Sequence, residues 1–430
     1  MIRRYTSRVF YGYWIAAAGF VIQLLTAGLL MQSYGAYVAI LQEQQGWSRT
    51  ALSGAFSLTQ LMNGVTGPIQ GVILDRIGPR AVMRVGIVIF AAGMLLFSQV
   101  NSITAYYLAF AVLALGFAMT AFFPIAVALV NWFERYRSRV MSLMSIGFAV
   151  GGLLVPLVAL SLEEFGWRNT AAASGILVLV IGLPVSGLMR HRPEDYGEYV
   201  DGIPPEPMPQ QSAESATPVS PARRDFTARE ALRTPAFWFI AFGHSAALLV
   251  VGAVSVHVIS HMKDDLGYSV GSASLVITLM TSMQIVGMLL GGFFGDRYDK
   301  RLICAGCMVM HMAGMLLITY ATGFFMVGAF AVLHGLAWGI RGPLMQAIRA
   351  DYFGRSSFGA IMGISATVLM VGQITGPLAA GIMADATGDY VLGFTILAVL
   401  SGMGSVFFLL ARRPTHPELR PEAARAAEVA

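Results

Sequence analysis

Twelve mostly apolar runs dominate the chain, at approximately residues 12–40, 50–74, 82–100, 104–132, 139–162, 168–189, 236–260, 270–295, 302–321, 324–349, 357–384 and 390–411. A helix of about 20 such residues crosses a hydrocarbon layer, so each run is a candidate membrane span. Of the 430 residues, 56% are hydrophobic and 12% are charged, whereas a soluble domain carries about 25% charged residues. That balance excludes a soluble enzyme, a disordered chain and a nucleic-acid binder. The chain reads as an all-α integral membrane protein. The basic start (Arg3, Arg4, Arg8) leads into an apolar run longer than the about 7–15 residues of a signal-peptide core, so that run is expected to stay as the first span.

Six runs precede residue 190 and six follow residue 235, predicting a six-helix bundle over 1–190 and a second over 234–413. Between them, residues 191–233 contain "GIPPEPMPQQSAESATPVSPARR", a composition that reads as a cytoplasmic linker with little packed structure. Residues 414–430 read as a cytoplasmic tail. Basic residues collect on the cytoplasmic side of membrane helices. Of the 28 Lys and Arg, three (Arg49, Arg168, Lys263) fall on one side, Arg341 falls within a span, and the rest share the other side with both termini. The expected location is the inner (cytoplasmic) membrane, with the N and C termini inside.

The halves repeat. "GVILDRIGPR" (71–80) closes the second span and "GGFFGDRYDKR" (291–301) closes the eighth. "GFAMTAFFP" (116–124) in span four matches "GLAWGIRGP" (335–343) in span ten. Asp75 and Asp296 are 221 positions apart, as are Pro156 and Pro377, which predicts a duplicated six-helix unit. Such duplications build transporters whose substrate sits between the halves near the membrane midplane.

The twelve spans, the central linker and the G-x-x-x-D-R-x-G-x-R loop of Gly71–Arg80 resemble the major facilitator superfamily over essentially the whole chain. Within it, "FYGYW", "GWSRTALSGAFSL", "WFERYRSRVMSL", "GWRNTAAA", "HRPEDYG", "LRTPAFW" and "ADYFGRSSFGAIMG" are similar to bacterial members of the monocarboxylate and oxalate–formate transporter group. The resemblance implies two pseudo-symmetric bundles working by alternating access on small organic anions, often with a proton. It also implies a cavity lined by spans one, four, seven and ten. The sequence departs from the group's pattern at three places. Met288 stands where an arginine of span eight is common, Ser365 where oxalate–formate exchangers carry a lysine, and Tyr11 where monocarboxylate transporters often carry an acid.

Arg341 is the one arginine expected deep in a span. It lies ten residues before Asp351, or about 15 Å along a helix, which places it near the bilayer centre. A guanidinium there offers a bidentate fork to a carboxylate. His334 and Trp338 precede it by seven and three residues and share its helical face. Trp338 is a candidate apolar wall, and His334 a candidate proton carrier with His244 of span seven as its rival. His311 ranks lower, because span nine is usually peripheral in the family. Through the cavity that the resemblance implies, Gln32, Tyr34 and Tyr37 are candidate substrate hydrogen-bonders. Phe122 and Phe123 fall opposite Arg341 and Gly342 in the repeat and predict an aromatic wall, and Gln284 of span eight is a further polar candidate. Packing is the competing role for each.

Asp75, Arg76 and Arg80, with their copies Asp296, Arg297 and Arg301, are expected to gate the mouth by capping helices and pairing charges. Cys304 and Cys307 have the C-x-x-C spacing but no companion ligands, and read as buried thiols. No P-loop, metal-ligand cluster or dinucleotide fingerprint occurs, so no enzyme activity, ATP-driven pumping, metal or cofactor is expected. The sequence expectation is a secondary active transporter of a small organic anion. Its alternatives are an exporter of drugs or metabolites and a transporter-like sensor that moves nothing.

Overall fold

The computed structural model describes residues 9–47, 49–204 and 225–417. The start of the chain, the middle of the expected linker and most of the expected tail therefore lie outside the described residues. Among the described residues the structure is helical, with no strand.

Span one runs from Gly12–Thr26 through a π-helical turn, Ala27–Met31, into Tyr34–Gln45. Span two is Arg49–Ile77 and span three Pro79–Ser98. Span four is broken into Ile103–Thr120 and Phe122–Trp132. Pro124 explains the break. It has no N–H, and its ring displaces the carbonyl four residues back, at Thr120, so Ala121 leaves the helical region (φ −87°, ψ −118°). Spans five and six form one 50-residue apolar stretch, Arg137–Ser186, that turns at Gly166. There φ is +75°, a conformation glycine adopts without steric cost. Spans seven to twelve are Pro235–Asp264, Val270–Gly295, Lys300–Thr319, Phe324–Phe353, Phe358–Thr387 and Val391–Leu410.

Packing partners recur with a shift of six spans. Span three packs on four and six, as nine does on ten and twelve; one packs on five, as seven does on eleven; and two packs on four, as eight does on ten. Apolar clusters fill each half, around Phe90 and Phe97 in the first and Phe237, Phe330 and Phe394 in the second, while the one around Trp132 also takes in Phe358 and Met362 of span eleven. Large apolar side chains such as Leu108, Leu157, Leu275 and Phe325 remain exposed, as a lipid-facing surface requires. The fold is two pseudo-symmetric six-helix bundles. They join mainly along span two against eleven and span five against eight.

The linker's described ends are held against the bundles. Asp201 accepts the backbone N–H groups of Glu134 and Arg135 between spans four and five. Asp225 accepts those of Arg355 and Ser356 between spans ten and eleven. Phe226 is buried, and Thr227 caps a short helix, Ala228–Leu232.

Candidate substrate site and gate

Between the bundles lies a cavity of about 280 Å³, lined by Gln32 and Phe148 of the first half and by Ser255, Thr281, Gln284 and Trp338 of the second, among others. Gln32 follows the π-helical turn of span one, and its amide reaches the Phe148 carbonyl of span five (3.4 Å). Three sequence candidates, Gln32, Gln284 and Trp338, thus meet in one space. Span ten continues to face open space one turn below Trp338, since a methyl group at Gly342 would meet nothing within 4 Å.

Arg341, which the sequence offers as a carboxylate-binding fork, does not line this cavity. Trp338 lines the cavity, whereas the Arg341 side chain is buried in the second bundle and 1% exposed. Its Nε and Nη1 have no hydrogen-bond partner among the described residues. The side chains that interact with it electrostatically are His244, His311, His334, Arg349, Cys304 and Cys307; no carboxylate among the described residues acts on it.

Arg341 is not the sole deep arginine. Arg349, two turns further along span ten, is equally buried and donates to the Met345 carbonyl (2.8 Å) and toward His244 Nδ1 (3.3 Å). His334 is fully buried and meets His311 of span nine, Nδ1 to Nδ1, at 3.2 Å. In the sequence Arg349 stands at the end of the tenth apolar run, close to Asp351, and His311 in a span that the family resemblance makes peripheral. A helical-face count would have flagged Arg349, but His311 needs the packing of span nine on ten.

The aromatic candidates of the first half turn away from the cavity. Tyr34 donates to the Leu52 carbonyl (2.5 Å), contacts the Tyr106 hydroxyl (2.9 Å) and packs edge-on to Phe110. Tyr37 is buried against Phe97. Both serve the core of the first bundle, because spans three and four present an aromatic cluster to that face of span one. Phe122 and Phe123 are half-buried against the same bundle's core and begin the second segment of span four, whose N-terminus has no side-chain cap. Broken helices with free N-termini at membrane depth carry a positive end.

The end of the molecule that holds the loops after spans two, four, eight and ten is closed by contacts between the bundles. Asp75 accepts the Gly359 and Ala360 backbone N–H groups (2.9 and 2.8 Å) at the start of span eleven. Asp296 accepts those of Ser138 and Arg139 (2.8 and 3.4 Å) at the start of span five. Burial pushes the Asp296 carboxyl above the usual carboxylate range, and the Ser138 backbone N–H pulls it back. Asp351 joins Arg137 of the first half (2.9 Å) to Lys300 of the second (2.7 Å), and Glu194 pairs with Arg355. The motif arginines serve the loops differently. Arg76 and Arg80 are exposed, Arg297 stacks on Phe293, and Arg301 bonds the Leu409 carbonyl and pairs with Asp299. Cys304 and Cys307 are buried free thiols.

The family model described as "Major Facilitator Superfamily" matches residues 10–260 and 240–430. The chain belongs to the major facilitator superfamily. Two relatives of this major facilitator protein are monocarboxylate transporter 4 of Gallus gallus, 25% identical with 89% of this chain and 80% of that protein covered, and the glycerol-3-phosphate transporter of Bacillus subtilis, 26% identical with 73% and 70% covered. Among solved structures, the proton:xylose symporter XylE superposes with a TM-score of 0.69 at 13% identity, over 93% of this chain and 95% of that one. At that identity the match speaks for the major facilitator fold alone.

Proposed function

We propose that this transporter carries a small organic anion, a monocarboxylate with an apolar or aromatic body, together with a proton. In this reading Arg341 draws the carboxylate toward the cavity face of span ten at Gly342, Trp338 walls its apolar body, and Gln32 and Gln284 offer hydrogen bonds. The observation that carries the proposal is Arg341 itself: a guanidinium buried at membrane depth with two nitrogens unsatisfied and no acidic partner among the described residues. An uncompensated buried charge is costly, and a carboxylate held on the cavity side of the same helix lowers that cost through space. The monocarboxylate and glycerol-3-phosphate transporters among the relatives, whose named substrates are anions, are consistent with this. The basic-residue bias of the sequence supports a cytoplasmic side for the closed end, so in this reading the structure is closed inward, in the cytoplasmic membrane.

Thermal melting of the purified protein with acetate, lactate, pyruvate, benzoate and phenylacetate tests the proposal. A ligand at about 100 times its Kd stabilises by about 2.7 kcal/mol, and Arg341→Gln is expected to abolish that response. An unaltered response in the variant, or no response to any of the five, rejects the anion site. Uptake by proteoliposomes then distinguishes import from outward flux, the mark of an exporter, and from no flux, the mark of a sensor.

A further inference from the structure

His311 and His334 form a closed pair inside the second bundle, with ring centroids 4.5 Å apart and both side chains fully buried. Their Nδ1···Nδ1 contact of 3.2 Å holds one hydrogen, so one ring donates from Nδ1 and the other accepts there. Two neutral rings have two N–H groups in total. The donor ring must then leave its Nε2 bare, and the acceptor ring must carry its hydrogen on Nε2. Both Nε2 atoms are buried without partners among the described residues. The neutral pair therefore keeps one unsatisfied N–H and one vacant lone pair away from water, at a cost of about 1–3 kcal/mol for each unmatched group. A vacant imidazole nitrogen is a proton acceptor, and a proton taken up there is shared by hydrogen bonding with the second ring.

The surroundings determine when the pair fills. Span nine contributes Cys304 and Cys307, span ten Arg341 with Arg349 beyond it, and span seven His244. Spans eight and twelve carry no ionisable side chain along Val270–Gly295 or Val391–Leu410. Every charge near the pair is positive, so Arg341 opposes an added proton until an anion neutralises it. Trp338 connects the pair to the cavity: its ring lies edge-on to His334, with centroids 6.4 Å apart, and it lines the space between the bundles.

We propose that the His311–His334 pair is the proton site of this transporter, and that it fills because a carboxylate has bound at Arg341. This rests on the anion site proposed above. One proton from the bathing solution, relayed by cavity water, moves onto the vacant Nε2, the carboxylate's negative charge is balanced, and the loaded carrier gains no net charge. By linkage the coupling is reciprocal, so a protonated pair also tightens the anion.

The test uses purified protein and the five carboxylates named above. In weakly buffered solution with a pH indicator, the wild type is expected to take up about one proton per carboxylate bound. In proteoliposomes, the His311→Gln/His334→Gln protein is expected to keep counterflow of labelled carboxylate while losing pH-gradient-driven accumulation by at least about tenfold. Binding without proton uptake in the wild type overturns the proposal, and so does full accumulation by the double variant. If the double variant does not fold, the wild-type proton count decides alone. If the wild type binds none of the five acids, the anion site itself fails; binding without proton uptake removes only the histidine pair.

Discussion

Asp296, just after span eight in the second bundle, accepts the backbone N–H of Ser138, at the start of span five in the first, at 2.8 Å. The same bond recurs 221 positions apart at both ends: Asp75 accepts the N–H of Gly359 at 2.9 Å. Each repeated loop thus places an anion on the N-terminus of a helix in the opposite bundle, where backbone N–H groups are free and the helix dipole favours negative charge. Both bonds cross from one bundle to the other, so any separation of the bundles at this end breaks them.

Replacing either aspartate by alanine is therefore expected to weaken the closed gate by about 1 kcal/mol. Combining Asp75→Ala with Asp296→Ala is expected to add the two effects, since the sites share no partner. Spin labels placed across the gate end and measured by pulsed electron resonance report the closed fraction. Unchanged distance distributions in the double variant would show that the caps do not hold the gate.

Asp351 is a different kind of element, because one of its partners is buried. The Arg137 side chain is 6% exposed and Asp351 28%, so Asp351→Asn leaves a nearly dry guanidinium without its carboxylate. Breaking such a pair from one side costs more than the pair itself contributes. The expected loss is about 1–3 kcal/mol, seen as a lower melting temperature or a shift to the open gate. Arg137→Met combined with Asp351→Leu is expected to recover most of it. A double variant as impaired as Asp351→Asn would refute the role assigned to the stranded charge.

The architecture was legible because its signals are local and repeated. Span limits follow apolar run length, and the Asp75/Asp296 offset already aligned the halves, so the gate bonds fell where the repeat put them. The interior of the site was less legible. Helical periodicity places His334, Trp338 and Arg341 on one face, but not which neighbour that face meets. Trp338 lines the space between the bundles while Arg341 lies buried near His311, and only the packing of span nine on ten decides this. Likewise, Tyr34 and Tyr37 look like cavity residues until Tyr106, Phe97 and Phe110 claim them from spans three and four. Pro124 did signal a break in span four, through the carbonyl it displaces, although span four was read as unbroken.

The Glu194–Arg355 pair offers a pH signature. Burial raises the Glu194 carboxyl, but the hydrogen bond and charge of Arg355 outweigh it and hold the group below the usual range. A depressed carboxyl stabilises the state that contains it at pH above its ordinary value, about 4.3, and that contribution disappears as pH falls through the lowered one. Both side chains are substantially exposed, so the contribution to gate closure is about 0.2–1 kcal/mol. Closure measured between pH 7 and about pH 5 should therefore differ between wild type and Glu194→Gln by a constant amount, and the two should converge only below that. Convergence already near pH 6 would assign the pH response elsewhere.

The last prediction concerns how closely the bundles approach. Where span two meets span eleven, a methyl group on Gly71 would lie 2.0 Å from the Gly359 carbonyl oxygen, and one on Gly363 would lie 2.2 Å from that of Gly67. Both obstacles are backbone atoms, so no rotamer change relieves them and the helices must separate. These are also the helices that Asp75 ties together, and separation lengthens the bonds that close the gate. Gly71→Ala and Gly363→Ala are each expected to favour the open gate and to slow any cycle that must pass through the closed one. Gly306→Ala in span nine is the matched control, since its methyl group meets nothing within 4 Å. Cysteines placed across the gate should then cross-link in the control but far less in Gly71→Ala. Equal cross-linking in the two would mean that the close approach of spans two and eleven is not needed for closure.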